Sequence, residues 1–202
     1  MKDEITSYKG KICTQDSNFV YGDTIDHDVC DLLVDFYDHQ QILPYIEGQC
    51  MEGGEIKVNP DYKESRDLHV PFQAAVMHLE PYVNELQRIL NIYMEHFPFS
   101  ELSDFRIVEP MSIQKYPIGG GFKIWHTERS NCLPSNVYRH LVFMTYLNDV
   151  PDGGTEWYHQ DLYVPAKKGY TVIWPADWTH HHRGRVSHTS EKIICTGWFS
   201  FI

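Results

Sequence analysis

The residues best suited to chemistry fall in two distant places. One is His126-Thr127-Glu128; the other is the tract Trp178-Thr179-His180-His181-His182-Arg183-Gly184, with Lys192 beyond it. Two imidazoles and one carboxylate leave three positions of an octahedral metal open, which is how non-haem Fe(II) sites admit a chelating substrate together with O2. A lysine nearby supplies an ammonium that can hold an anion. These groups point to redox chemistry at a metal.

That chemistry requires particular elements to position the side chains. On a strand over 122–128, His126 and Glu128 project from one face with origins about 7 Å apart, so one ion fits between them. Taken alone, a His-x-Glu is more often an exposed polar strand end. In the histidine tract, extended backbone sets His180 and His182 on one face and His181 on the other, which leaves the second imidazole open among three. Lys192 begins a final strand over 190–201, and alternation lines up Lys192, Ile194, Thr196 and Trp198 on one face. An ammonium turned towards a core needs an anion, because desolvating it alone is too costly. Cys195 falls on the opposite face and reads as packed. Arg139 and Arg183 read as ion-pair residues, and Trp125, Trp174, Trp178 and Trp198 as candidates for pocket lining or core.

The remaining pattern supplies the scaffold. Val29, Leu32, Leu33 and Phe36 predict a helix over 26–41, and Val83, Leu86, Leu90, Tyr93, Met94 and Phe97 predict a longer one from Pro81. An edge strand is expected within the first 20 or so residues, and 48–66, with Gly53-Gly54 and Asn59-Pro60, reads as a loop. Strands are expected over 105–116, 122–128, 139–148, 156–164, 169–175 and 190–201. Gly119-Gly120-Gly121, Pro151-Asp152-Gly153-Gly154 and Lys167-Lys168-Gly169 read as the turns between them. Helices followed by antiparallel strands imply an all-β core with flanking α-helices, a sandwich or jelly roll.

Composition bounds the function. The chain has 202 residues, 42% of them hydrophobic, enough for one domain with a proper core. Seventeen basic against 28 acidic residues give a charge of -11, which disfavours general attraction to nucleic acid or anionic lipid. The five cysteines, 13, 30, 50, 132 and 195, contain no CxxC pair and read as free thiols in a reducing compartment. With no apolar run of membrane-spanning length and no apolar leader, the expectation is a soluble, cytoplasmic protein.

Over 110–200 these residues resemble the Fe(II)/2-oxoglutarate-dependent oxygenases, in their prolyl 4-hydroxylase-like branch. That family pairs HxD/E with a distal histidine, followed ten residues later by a lysine or arginine for the 2-oxoglutarate C5 carboxylate. The offset from His182 to Lys192 is the same ten. Tyr116-Pro117-Ile118-Gly119-Gly120-Gly121, Tyr146-Leu147-Asn148 with Gly153-Gly154-Thr155-Glu156, Ile173-Trp174-Pro175, and the Thr196-x-Trp198 ending resemble further motifs. The resemblance implies a double-stranded β-helix (jelly roll, cupin-like) in a single oxygenase domain, with 1–100 as support and 101–202 as core. It assigns His126, Glu128 and His182 to Fe(II), and Tyr116, Tyr146, Lys192, Thr196 and Trp198 to 2-oxoglutarate. O2 is the other cosubstrate, and succinate and CO2 are products of hydroxylating a C–H bond. The substrate implied is a peptide, with proline a candidate, or a small molecule. Glu128 departs from the aspartate most prolyl hydroxylases carry. The alternative is a silent metal- or ligand-binding sensor on the same fold; zinc hydrolysis is disfavoured by the absence of HExxH.

Overall fold

The computed structural model describes residues 11–12, 18–52 and 54–202; Cys13 and Gly53 lie outside the described residues. In chain order the strands begin with β1 (Lys11–Ile12), β2 (Tyr21–Thr24), β3 (Tyr45–Glu47), β4 (Gln49–Glu52), β5 (Glu55–Val58), β6 (Lys63–Glu64), β7 (Arg66–Val70) and β8 (Phe105–Arg106). They continue with β9 (Met111–Tyr116), β10 (Gly121–Phe122), β11 (Arg139–Tyr146), β12 (Val150–Trp157), β13 (Leu162–Ala166), β14 (Tyr170–Pro175), β15 (His182–Gly184) and β16 (Lys192–Phe201). The helices α1 (His27–His39), α2 (Phe72–His78) and α3 (Glu80–His96) all precede β8.

Eight strands form the large sheet, in the order β2-β14-β11-β16-β9-β7-β3 with β8 also on β16. A smaller sheet runs β1-β13-β12-β15. Apart from the parallel β1–β13 pair, every pairing in these two sheets is antiparallel. The result is the expected jelly roll with helices on one side. Strands β2, β3 and β7 bring the first hundred residues into the same sheet as the last hundred.

Alternation along the central strands divides the interior into two layers. Leu141 and Phe143 of β11, Ile113 of β9, and Cys195 and Phe199 of β16 face the helices, where Cys30, Leu33 and Tyr37 of α1 and Tyr82, Leu86, Ile89 and Tyr93 of α3 pack on them. The intervening residues Val142, Met144, Tyr146 and Ile194 turn the other way, towards Trp157, Leu162 and Val164 of the small sheet. Burial pushes the Cys195 thiol up to about 12, as befits a packed residue. The four described cysteines, Cys30, Cys50, Cys132 and Cys195, are free thiols. No helix among the described residues is long and apolar enough to cross a membrane.

Several boundaries differ from the pattern. The segment 48–66 holds a hairpin, β4 paired with β5, whose turn uses Gly54 at φ +83°. The polar residues alternating with Cys50, Ile56 and Val58 hid the two short strands. Pro110, which has no N–H to give a ladder, separates β8 from β9 within the expected 105–116 strand. Strand β12 starts at Val150 and carries Gly153-Gly154 inside it as an irregularity in the pairing with β13, so this is no turn between strands. The expected 156–164 strand breaks after Trp157 and resumes at Leu162. Helix α2 has only seven residues, too few for a periodic signal.

Candidate metal centre and its cavity

The expected 122–128 strand is confined to Gly121–Phe122, and beyond it the chain is irregular except at His126. There the His126 N–H donates to the His182 carbonyl and the His182 N–H donates to the His126 carbonyl, both at 3.0 Å. This isolated antiparallel bridge, not a shared strand face, brings the two histidines together, and Glu128 folds in beside them. Ligand atoms of His126, Glu128 and His182 all lie within 4.8 Å of one another. Glu128 Oε1 is 3.4 Å from His126 Nε2 and 3.5 Å from His182 Nε2.

The outer nitrogens fix the protonation pattern. His126 Nδ1 is 3.0 Å from the Ile124 carbonyl, and His182 Nδ1 is 3.0 Å from the His180 carbonyl. A carbonyl only accepts, so each Nδ1 carries the proton and each Nε2 presents a lone pair. Burial pushes His182 below the ordinary histidine value and favours its neutral ring. Glu128 Oε2 accepts from Trp198 Nε1 and Arg139 Nη1, which favours the ionised carboxylate. Two lone pairs and an anionic oxygen therefore converge. Such a set repels itself unless a cation sits between, and its N,N,O composition suits a divalent iron-type ion.

His180 and His181 do other work. The tract opens as a 3-10 turn over Trp178–His180, so the extended-face argument fails there. His180 is buried with Nε2 2.9 Å from the Asn18 carbonyl, while His181 Nδ1 turns to the Trp178 carbonyl at 2.6 Å. Backbone geometry, which residue spacing does not show, makes this selection.

The triad opens into a cavity of about 650 Å3, which Tyr116, Tyr146, Lys192, Thr196 and Trp198 also line. Lys192 pairs in register with Tyr116 of β9 and lies with its Nζ 5.2 Å from that ring's centroid. It is 4% exposed and donates to the Arg185 carbonyl at 2.9 Å. No carboxylate among the described residues forms an ion pair with it, and burial pushes its ammonium down to about 8. Gly184 makes the room: a Cβ there would lie 3.2 Å from Lys192 Nζ.

The other cavity residues are tied more tightly to the protein. Tyr146 donates to Thr155 Oγ1 at 2.7 Å, and Thr196 Oγ1 donates to the Phe143 carbonyl at 2.8 Å. Gln114 Nε2 faces the Asp67 carboxylate at 3.4 Å and Ser112 Oγ at 3.2 Å, so its carbonyl oxygen receives the Tyr116 hydroxyl at 2.5 Å. Trp198 Nε1 donates to Glu128 Oε2 at 3.0 Å. Arg183 and Arg185 both bind the buried Glu156, with Arg183 over the Trp125 ring.

Lys63 and Glu109, which carry no motif, also line the cavity, as does Asp67. Lys63 and Asp67 form a buried pair at 2.6 Å on the cavity wall, and Arg139 makes a two-point ion pair with Glu109 at 2.9 and 2.7 Å. Lys63 and Asp67 lie on the separate strands β6 and β7, where a four-residue offset carries no signal, and the Glu109–Arg139 pairing spans an irregular segment and left none either.

Residues 111–200 match the profile of the 2OG-Fe(II) oxygenase superfamily. No curated protein sequence matches the chain significantly. Among solved structures, the viral collagen prolyl hydroxylase of Paramecium Bursaria Chlorella virus-1 is similar at 14% identity and TM-score 0.61, with 94% of this chain and 100% of that one covered. A Pseudomonas putida prolyl-4-hydroxylase gives 15% and 0.62 over 92% and 94%. A Trichoplax adhaerens prolyl hydroxylase, in complex with a hypoxia inducible factor peptide fragment, gives 13% and 0.67 over 92% and 84%.

A buried ammonium without an anion costs stability. Lys192→Met should therefore raise the stability of the ligand-free chain by about 1–3 kcal/mol in urea unfolding, whereas a loss of stability would mark Lys192 as a structural residue.

Proposed function

We propose that this chain, whose residues 111–200 match the 2OG-Fe(II) oxygenase superfamily, is a hydroxylase that acts on a residue of a polypeptide, with proline the leading candidate. The observation that carries the reaction class is the cavity shared by three convergent metal donors and a buried lysine with no carboxylate partner among the described residues.

His126 Nε2, Glu128 Oε1 and His182 Nε2 would hold the iron. When bound, Fe(II) would let O2 act as the oxidant, one oxygen atom entering succinate as 2-oxoglutarate is decarboxylated with release of CO2 and the other entering the hydroxylated C–H bond. The chain's own residues bind, orient and exclude water. Lys192 receives the far carboxylate of 2-oxoglutarate through a charge-assisted bond, stronger than a neutral one. Tyr146 stands as its second donor once its proton turns from Thr155. Tyr116 packs its ring beside Lys192 while Gln114 holds its proton, and Thr196 and Trp198 complete the wall next to the ligands. Trp174 and Trp157, both buried, form a dry backing to His182, with ring centroids 5.0 and 6.2 Å from its own.

The mouth of the cavity supports a polypeptide substrate. Trp125 and His181 line it, and a chain of edge-on ring contacts runs outward from them. Trp125 meets Tyr158 at 82°, His159 meets Trp178 at 88° and His181 at 85°. Tyr158 and Trp178 are 56% and 65% exposed. Exposed aromatic side chains line the grooves by which other proteins receive extended, proline-containing segments. On the other flank, the β4–β5 hairpin brings Cys50, Met51 and Ile56 to the same cavity and can cover a bound chain.

The direct test is succinate formation by anaerobically purified protein given Fe(II), 2-oxoglutarate and then air. Turnover should vanish in His182→Ala and persist in His180→Ala, and no succinate from the parent chain, even with peptide libraries, would reject the enzyme reading. A lysine is cationic below its pKa, so affinity for 2-oxoglutarate should fall as pH rises beyond about 8, and Lys192→Arg should flatten that profile. Trp178→Ala combined with Tyr158→Ala should raise KM about tenfold for a long proline-containing peptide, roughly 1.4 kcal/mol, with KM for 2-oxoglutarate unchanged. An equal KM in parent and variant would remove the aromatic strip from substrate binding.

A further inference from the structure

We infer that Arg139, Glu109 and Trp198 are positioning residues for Glu128, holding its outer carboxylate oxygen so that one oxygen alone faces the two imidazoles. The inference rests on the reading of His126, Glu128 and His182 as metal ligands and concerns what the longer carboxylate requires. Glutamate has one rotatable bond more than aspartate, so its two oxygens can exchange or both swing towards an ion. In this chain the two oxygens have different partners. Oε1 faces His126 and His182 at 3.4 and 3.5 Å. Oε2 accepts from Trp198 Nε1 at 3.0 Å and from Arg139 Nη1 at 3.3 Å.

The holding groups are themselves held. Arg139 Nη1 also donates to the Glu128 main-chain carbonyl at 3.2 Å, so one nitrogen grips both the backbone and the side chain of the ligand. The rest of the guanidinium is fixed by the fork onto Glu109, at 2.9 Å through Nε and 2.7 Å through Nη2. Its carbon lies 3.4 Å from the centroid of the Trp198 ring, so the two donors to Oε2 are stacked on each other. Arg139 is 9% exposed and leaves little room for an alternative rotamer.

Charge gives Glu109 a second role. An unpaired guanidinium at this distance would cancel the negative charge that Glu128 offers to a cation. With Glu109 present the arginine is neutralised, and the cluster of two carboxylates and one guanidinium keeps one net negative charge beside the imidazoles. Geometry is taken from Arg139 while its charge is offset by Glu109. Partners outside the ligand set commonly control metal affinity by about 10–100-fold.

The test is Co(II) binding, followed by its visible absorption and its Kd, with the full chain and without turnover. Trp198→Phe keeps the ring under Arg139 but removes the donor, and Arg139→Lys keeps the charge but removes the fork. Each should weaken Co(II) binding by about 10–100-fold and alter the absorption bands while circular dichroism stays unchanged. Glu109→Gln should weaken it in the same direction. Glu128→Asp is the discriminating background: the shorter side chain cannot reach both the ion and Trp198, so Trp198→Phe should cost little further affinity there. Equal losses from Trp198→Phe in the parent chain and in the Glu128→Asp background would overturn the inference, as would folded Trp198→Phe and Arg139→Lys variants that bind Co(II) like the parent. A parent chain that binds no Co(II) would instead reject the metal-site reading itself.

Discussion

The reciprocal pair of backbone hydrogen bonds between His126 and His182 is the constraint on which the site depends. It joins an irregular stretch after β10 to the start of β15 at one point. Because the two residues directly face each other, their rings lie 4.3 Å apart between centroids, and the next turn of chain delivers Glu128 to the same place. Each ring is then oriented by a carbonyl two residues away, that of Ile124 or His180. The two imidazoles are thereby held together by main-chain bonds that do not depend on the ligand, and Trp198 and Arg139 hold the carboxylate against them. The mutual repulsion of these three groups is stored affinity for a cation.

The second half of the site depends on strand β16. Its neighbours β9 and β11 fix its register, and the helices press on the face that carries Cys195 and Phe199. The opposite face must then present Lys192, Ile194, Thr196 and Trp198 to the cavity. One strand thus places a buried ammonium at one end and the indole that bonds Glu128 at the other. The packing of α1 and α3 is remote from any chemistry, yet it sets which face of β16 turns inwards. Met144 and Tyr146 of β11, opposite Thr196 and Ile194, complete the wall by the same alternation.

Much of this could be read from the chain because it follows periods. The face shared by Lys192, Ile194, Thr196 and Trp198, the inert packing of Cys195, and helices α1 and α3 all follow from spacing. The family resemblance supplied the choice of His182, and the structure supplies its physical reason, since His180 is spent on the Asn18 carbonyl. What spacing could not show was irregular backbone. His126 and Glu128 were expected on a strand face, and they meet instead through one bridge and a bend. The β4–β5 hairpin was hidden by its polar composition. Arg139 was read as an ion-pair residue, which it is, but its partners Glu109 and Glu128 come from segments whose proximity only the folded chain reveals.

The convergent lone pairs and Lys192, which has no carboxylate partner among the described residues, are proposed to form one site for a metal and a dicarboxylate. A crystal structure of the chain grown with Mn(II) and 2-oxoglutarate tests it most directly. The ion is expected on His126 Nε2, Glu128 Oε1 and His182 Nε2, with the far carboxylate of 2-oxoglutarate on Lys192 Nζ. An ion held through other atoms, or a 2-oxoglutarate whose far carboxylate lies away from Lys192, would contradict it.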